Sequence, residues 1–139
     1  MNTLVDTSVW SLALRRRPGD LSAAEQRTVD ELAEIIRDGL ARVIGPVRQE
    51  LLSGIKSPSQ YEKLRLALRA FPDEAIDTSD FEAAAKAGNK CRSKGIVVSM
   101  VDILICAVAL ARGWSIFTLD PDFNNYAQVL PLKLHSPRR

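Results

Sequence analysis

Residues 3–14, Thr3-Leu4-Val5-Asp6-Thr7-Ser8-Val9-Trp10-Ser11-Leu12-Ala13-Leu14, read as a strand, a tight turn and a helix in immediate succession. Thr3-Leu4-Val5 is a short apolar run. Asp6, Thr7 and Ser8 are helix-start residues, and Val9, Trp10, Leu12, Ala13 and Leu14 supply the apolar positions that follow. Pro18-Gly19-Asp20 breaks this helix.

The alternation continues outward along the chain. Ser22 and Glu25 have capping-box spacing and open a helix through Val29, Leu32, Ile36 and Leu40, ending near Gly39. Ala41 to Ile44 is a short strand. Gly45-Pro46 starts a helix that Ser53-Gly54 ends, with proline at its first position. Ser57-Pro58-Ser59 caps a helix with Tyr61, Leu64, Leu68 and Phe71 on one face, stopped by Pro72. Ala75-Ile76 is a weak strand. Ser79 and Glu82 have capping-box spacing for an Ala-rich helix to Lys94. Ser99 opens an apolar helix that ends at Arg112-Gly113. Trp114 to Leu119 is a strand, Asp120-Pro121 a turn, and Leu132 to Leu134 a last strand or extended tail. Strands alternating with helices predict an α/β domain with a mostly parallel sheet. Such sheets bind ligands at the carboxyl ends of their strands, near a switch in strand order.

Length and composition narrow the chemistry. At 139 residues the chain suits one domain, and no linker, repeat or low-complexity tract divides it. Nineteen Lys and Arg against 17 Asp and Glu leave a net charge of +2, so any polyanion signal must come from placement. The N-terminus lacks the pattern of a secretory signal, and the longest apolar run, Met100 to Ala111, is interrupted by Asp102 and too short for a bilayer. A cytoplasmic protein is expected. Cys91 and Cys106 lack metal-site spacing and read as reduced structural residues. His135 is the single histidine and lies in the polar C-terminal tail, which excludes catalysis by a histidine pair. Carboxylates are the natural candidates for any reaction.

Asp6 directly follows the first strand, and Asp120 directly follows the strand containing Ser115-Ile116-Phe117. Helix capping competes with function at both positions, and Asp122 could share either role. Asp102 lies in a helix apolar nearly all round, which must be buried. A buried carboxylate should be paired, metal-bound or neutral, although Ser99 and Asp102 also have capping-box spacing. Glu50 lies beyond the first turn of its helix, on the face of Val47 and Gly54, an expected inward side that calls for a partner. These acids could converge at one sheet edge, where a divalent cation would reverse their repulsion. Oxygen-only ligands suit Mg²⁺ or Mn²⁺, and such a site activates water for in-line attack on phosphate.

Four segments, in order, carry a resemblance: Leu4-Val5-Asp6-Thr7-Ser8-Val9-Trp10, Gln49-Glu50-Leu51-Leu52-Ser53-Gly54, Ser99 to Ala109 around Asp102, and Thr118-Leu119-Asp120-Pro121-Asp122-Phe123. The chain resembles the PIN-domain nucleases over nearly its whole length, and within them the VapC-type toxins of toxin–antitoxin pairs. The resemblance implies a PIN-like α/β domain spanning residues 1–139, with about five strands flanked by helices. It also implies an endoribonuclease dependent on Mg²⁺ or Mn²⁺. By motif position, Asp6, Glu50, Asp102 and Asp120 become the acidic quartet that holds metal and performs catalysis. Asp122 can also be aligned with the fourth position; Asp120 is favoured because it lies closer to the strand and follows Thr118. Thr7, Ser8 and Thr118 are hydroxyl neighbours suited to holding these acids in place, a role Asp122 could share. The resemblance further implies a homodimer and inhibition by a small VapB-like antitoxin.

An RNA substrate needs a basic track. Arg15-Arg16-Arg17 follows the first helix, Lys86 and Lys90 lie one turn apart before Arg92 and Lys94, and Lys63, Arg65 and Arg69 form a third group. Arg15–Arg17 has the strongest claim because it follows Asp6 closely in the chain. Two other readings compete. A phosphatase with Asp6 as nucleophile would want an acid at position 8, where Ser8 stands. A PIN-like module that only binds a partner would not need four acids in the four motifs.

Overall fold

The computed structural model describes residues 1–138. Strand β1 (Thr3–Val5) is buried along its length and forms the middle of a parallel sheet. On one side it pairs with β2 (Ala41–Arg42), Thr3 opposite Ala41 and Leu4 opposite Arg42. On the other it pairs with β3 (Ser115–Phe117), Thr3 opposite Ser115 and Val5 opposite Phe117. The Thr3 and Ser115 hydroxyls share a 2.9 Å hydrogen bond across this pair, which satisfies two polar groups on otherwise buried strands.

Three strands form where about five are expected. At each edge the sheet is extended by a single parallel bridge, Val43 with Asp73 and Ile116 with Leu134. The pairing expected near Ala75-Ile76 therefore falls at Asp73. The expected last strand is an extended tail whose backbone exchanges bonds with Ile116, from Ile116 N–H to Lys133 O and from His135 N–H to Ile116 O.

The connections explain where a site can form. Helix α1 (Thr7–Arg15) and helix α2 (Ala23–Arg37) carry the chain from β1 to β2. Helices α3 (Gly45–Leu52), α4 (Pro58–Leu68), α5 (Thr78–Ser93) and α6 (Met100–Arg112) carry it from β2 to β3, on the opposite side of β1. β1 is thus the switch strand, and its carboxyl end opens the crevice used by parallel sheets. Helix α6 is buried from Ile103 through Ala109, as its unbroken apolar sequence requires, and packs against β1, β3 and α5. It closes with Gly113 in the left-handed region at φ 71°, a conformation that suits glycine. Because α6 leads into β3, it runs opposite to the strands, and its N-terminus lies at their carboxyl edge.

Local expectations are met at Ser22 and Glu25, where both halves of the capping box form. At α5 the box is made instead by Asp77 and Asp80, two residues ahead of the expected Ser79 and Glu82. Asp80 is held there by Arg112, which donates to both its carboxylate oxygens at 2.9 Å. A short helix, α7 (Asp122–Tyr126), forms where the sequence reads as a turn. Its Phe123 and Tyr126 side chains are buried and pack edge to face, so tertiary burial holds an element too short to signal itself.

A candidate active site of converging carboxylates

Asp6 occupies the N-cap position of α1, yet its side chain makes no capping bond. It is 5% exposed and fixed by two hydroxyls. Ser8 Oγ and Thr118 Oγ1 each donate to Asp6 Oδ2 at 2.8 Å. The same two hydroxyls accept backbone bonds from β3's exit loop, Ser8 Oγ from Leu119 N–H at 2.9 Å and Thr118 Oγ1 from Asp120 N–H at 3.0 Å. The Asp6 amide completes the link by donating to Phe117 O. The ends of β1 and β3 are therefore tied through one carboxylate. Capping does not consume it.

Asp102 enters the same edge from the first turn of α6. Ser99 Oγ accepts from the Asp102 amide at 3.0 Å, so the cap uses the backbone and the carboxylate is free to turn elsewhere. Its Oδ2 accepts a 2.9 Å hydrogen bond from Tyr126 OH. Burial raises the Asp102 pKa from its ordinary value, and the nearby charges of Asp6 and Asp120 add to the rise against the opposing hydrogen bonds of Tyr126 and Ser99.

Asp102, Asp120 and Asp122 each offer a carboxylate oxygen within 4.8 Å of the others. Asp120 Oδ1 accepts from the Asp122 amide at 2.9 Å, which folds the Asp120-Pro121-Asp122 turn and brings both acids to one side. Among the described residues, no basic side chain lies within 4.0 Å of Asp6, Glu50, Asp102, Asp120 or Asp122. The cluster thus concentrates negative charge on an oxygen-only donor set, which fits a hard divalent cation.

Glu50 departs from expectation. It is exposed, while Val47 and Leu51 form the buried face of α3. Its partner is Thr7, whose Oγ1 donates to Glu50 Oε1 at 2.9 Å. Glu50 therefore stands beside the Asp6 end of the site, outside the three-carboxylate group. Arg48, on the same helix, donates to Asp73, Leu68 O and Phe71 O, which joins α3 to the end of α4.

The basic groups divide by position. Arg15 ends α1 about 12 Å along the helix from Thr7, at 1.5 Å per residue. Arg15, Arg16 and Arg17 are exposed, and Arg16 lies 3.7 Å from Glu25. Lys86 and Lys90 are exposed on α5, whose C-terminal end leads through residues 94–99 to Asp102.

One neighbour of the site escapes a sequence reading. Tyr126 is 1% exposed and looks like core until its hydroxyl is seen to end on Asp102. Asp122, the alternative fourth acid by motif position, stands in the same carboxylate group as Asp120, on an α7 that the sequence does not announce. The only hint of α7 is the aromatic pair Phe123 and Tyr126 at helical spacing.

Residues 3–129 match the PIN domain family. Ribonuclease VapC11 of Mycobacterium tuberculosis is 31% identical over 139 residues, covering 97% of this chain and 98% of the relative. A VapC ribonuclease of Mycobacterium bovis matches to the same extent, at 31% over 97% of the chain and 98% of its own length. Among solved structures, FitAcB from Neisseria gonorrhoeae superposes with a TM-score of 0.75 at 19% identity, covering 97% of each chain. VapBC2 from Rickettsia felis, bound to a DNA fragment from its promoter, gives 0.74 at 16% identity, covering 97% of this chain and 98% of that one. At these identities the structural likeness concerns the fold.

Proposed function

The chain belongs to the PIN-domain family and resembles its VapC ribonucleases, and on that premise we propose that it is a metal-dependent endoribonuclease, the toxin of a toxin–antitoxin pair. The observation that carries this reading is the gathering of Asp102, Asp120 and Asp122 near Asp6 at the carboxyl edge of the switch strand, with no basic side chain in contact among the described residues. Asp6, Asp102 and Asp120 would hold Mg²⁺ or Mn²⁺, with Asp122 beside them and Glu50 at the Asp6 end. Such a cation would offset the repulsion of these carboxylates and supply an acidified water for attack on phosphorus. In the hydrolysis, a P–O bond to water oxygen replaces the bond to the leaving ribose oxygen, and a carboxylate of the group takes the water's proton.

The chain's other residues hold this arrangement still. Ser8 and Thr118 fix Asp6, Thr7 fixes Glu50, and Tyr126 fixes Asp102. Arg15, Arg16, Arg17, Lys86 and Lys90 contact the RNA backbone. The domain works across residues 1–139 as a cytoplasmic homodimer, silenced by a VapB-like antitoxin. Curated relatives named as VapC ribonucleases support the substrate, and solved neighbours named as VapBC complexes support the partner.

Cleavage of total cellular RNA by the purified, antitoxin-free chain tests the reading. Discrete fragments are expected with Mg²⁺ or Mn²⁺. They should disappear with EDTA, in Asp6→Asn and in Asp102→Asn. Cleavage that survives both substitutions removes these residues from the reaction.

A further inference from the structure

The two most exposed large apolar side chains among the described residues are Val97, at 89%, and Met100, at 77%. They lie three residues apart on the segment that delivers Asp102 to the site. An apolar side chain left almost wholly in water forgoes the gain of burial, so two together beside a site call for a cover. Val97 also lines a recess of about 540 Å³, walled on its other side by Asp122, Asn125 and Tyr126 of α7. Asp122 belongs to the three-carboxylate group, and Tyr126 donates to Asp102, so the recess opens directly beside the acids. Asn125 is exposed in its wall, and its side-chain amide makes no hydrogen bond among the described residues.

We propose that this recess receives a nucleobase of the RNA next to the scissile phosphate, with Val97 covering its face, Asn125 reading its edge and Met100 exposed just beyond the lining. The inference rests on the ribonuclease reading and adds a determinant of where the cut falls. The lining carries the argument. A base presents a flat apolar face and a polar edge, and here an apolar rim stands opposite a free amide with donor and acceptor side by side. Unstacked bases in single-stranded RNA are recognised by this pairing of face and edge contacts.

The test is a cleavage profile of the full chain on an RNA pool with a randomised segment, read from the ends of the products. Wild type is compared with Asn125→Ala and with Val97→Ser/Met100→Ser. The profile is normalised to the cuts made, so it reports choice of site separately from rate. The expected wild-type profile prefers a base at one position flanking the cut. Asn125→Ala should flatten that preference by at least about five-fold, the lower end for loss of an amide–base contact. The apolar pair should weaken binding of an all-deoxy oligonucleotide, followed by fluorescence anisotropy in EDTA, to a greater extent than Leu66→Ser, an exposed apolar change on α4. Cleavage with no base preference, or with a preference unchanged in Asn125→Ala, overturns this inference and leaves the ribonuclease reading intact. A wild type that binds no Mn²⁺ and cuts no RNA overturns both.

Discussion

At the scale of single residues, three of the site's carboxylates are each held by neutral hydroxyls, while Asp120 is held by the Asp122 amide. Asp6 has Ser8 and Thr118, Glu50 has Thr7, and Asp102 has Tyr126. A hydroxyl orients a carboxylate without cancelling its charge, which an arginine would do. Tyr126→Phe keeps the buried ring and removes only the donor to Asp102. It should lower Mn²⁺ affinity about 10–100-fold, as expected when an outer partner of a ligand is lost. Calorimetric titration of the metal into both proteins checks this, and equal affinities would falsify a positioning role for Tyr126. The acids proposed for catalysis stood out in the sequence for different reasons. Asp102 interrupts an apolar helix, whereas Asp6 and Asp120 follow strands directly, where capping is an ordinary role and motif position singled them out. Tyr126 was not legible, since a buried tyrosine breaks no rule until its hydroxyl's partner is known. Glu50 was placed on the correct helix and the wrong face, because Val47 and Leu51 define the buried side.

At the scale of elements, helix ends decide what reaches the site and what braces it. The α5 start is locked to the α6 end by Arg112, which also bonds Glu74 and Ala75 O. Arg112's hydrogen bonds and the Asp77 backbone hold the Asp80 carboxyl at about 2, below its ordinary 3.8. Asp80→Asn leaves the half-buried guanidinium with Glu74 as its remaining carboxylate partner and should cost about 2 kcal/mol in urea unfolding at neutral pH. The depressed pKa fixes the sign of the acid response. Asp80's contribution is complete above its unfolded value and is lost as pH falls through about 2, so the gap between wild type and Asp80→Asn should narrow from pH 4 downward. A gap constant over that range excludes the ion pair as its source. The two basic groups are separable in the same way. Lys86→Gln/Lys90→Gln should reduce the logarithmic salt slope of single-stranded RNA binding by about 1.4, and alanine at Arg15, Arg16 and Arg17 by about 2. An unchanged slope removes that group from the RNA path. Chain order favours Arg15–Arg17 because they follow Asp6 closely, but a helix converts nearness in sequence into distance along its axis.

At the scale of the whole molecule, the C-terminal tail closes the sheet edge. Glu31 of α2 is buried and accepts from the Arg138 backbone N–H at 2.6 Å and from its Nε at 2.9 Å. Burial raises the Glu31 pKa, but the bonds and charge of Arg138, with His135 nearby, outweigh it and hold the carboxyl below its usual range. His135 stacks edge-on against Phe117, and the loop after Phe117 carries Thr118 and Asp120. Arg138→Ala should therefore lower stability by about 1–3 kcal/mol and speed hydrogen exchange in residues 118–120, while exchange in α4 stays the same. The alternation of strand and helix foretold the parallel sheet. An extended tail over Leu132 to Leu134 was one of two expectations there, but its anchoring on Glu31 was not legible, because a single bridge and one buried glutamate carry no periodic pattern. The same long-range closure sets the order in which the pocket can be completed. Asp6 comes early in the pocket's order along the chain, yet its partner Thr118 lies 112 positions later, with Asp120, Asp122 and Tyr126 later still. A growing chain therefore carries an unfinished acid pocket until β3 and the loop after it have been made. Any fragment that stops short of β3 holds Asp6 without the Thr118 hydroxyl that helps to fix it.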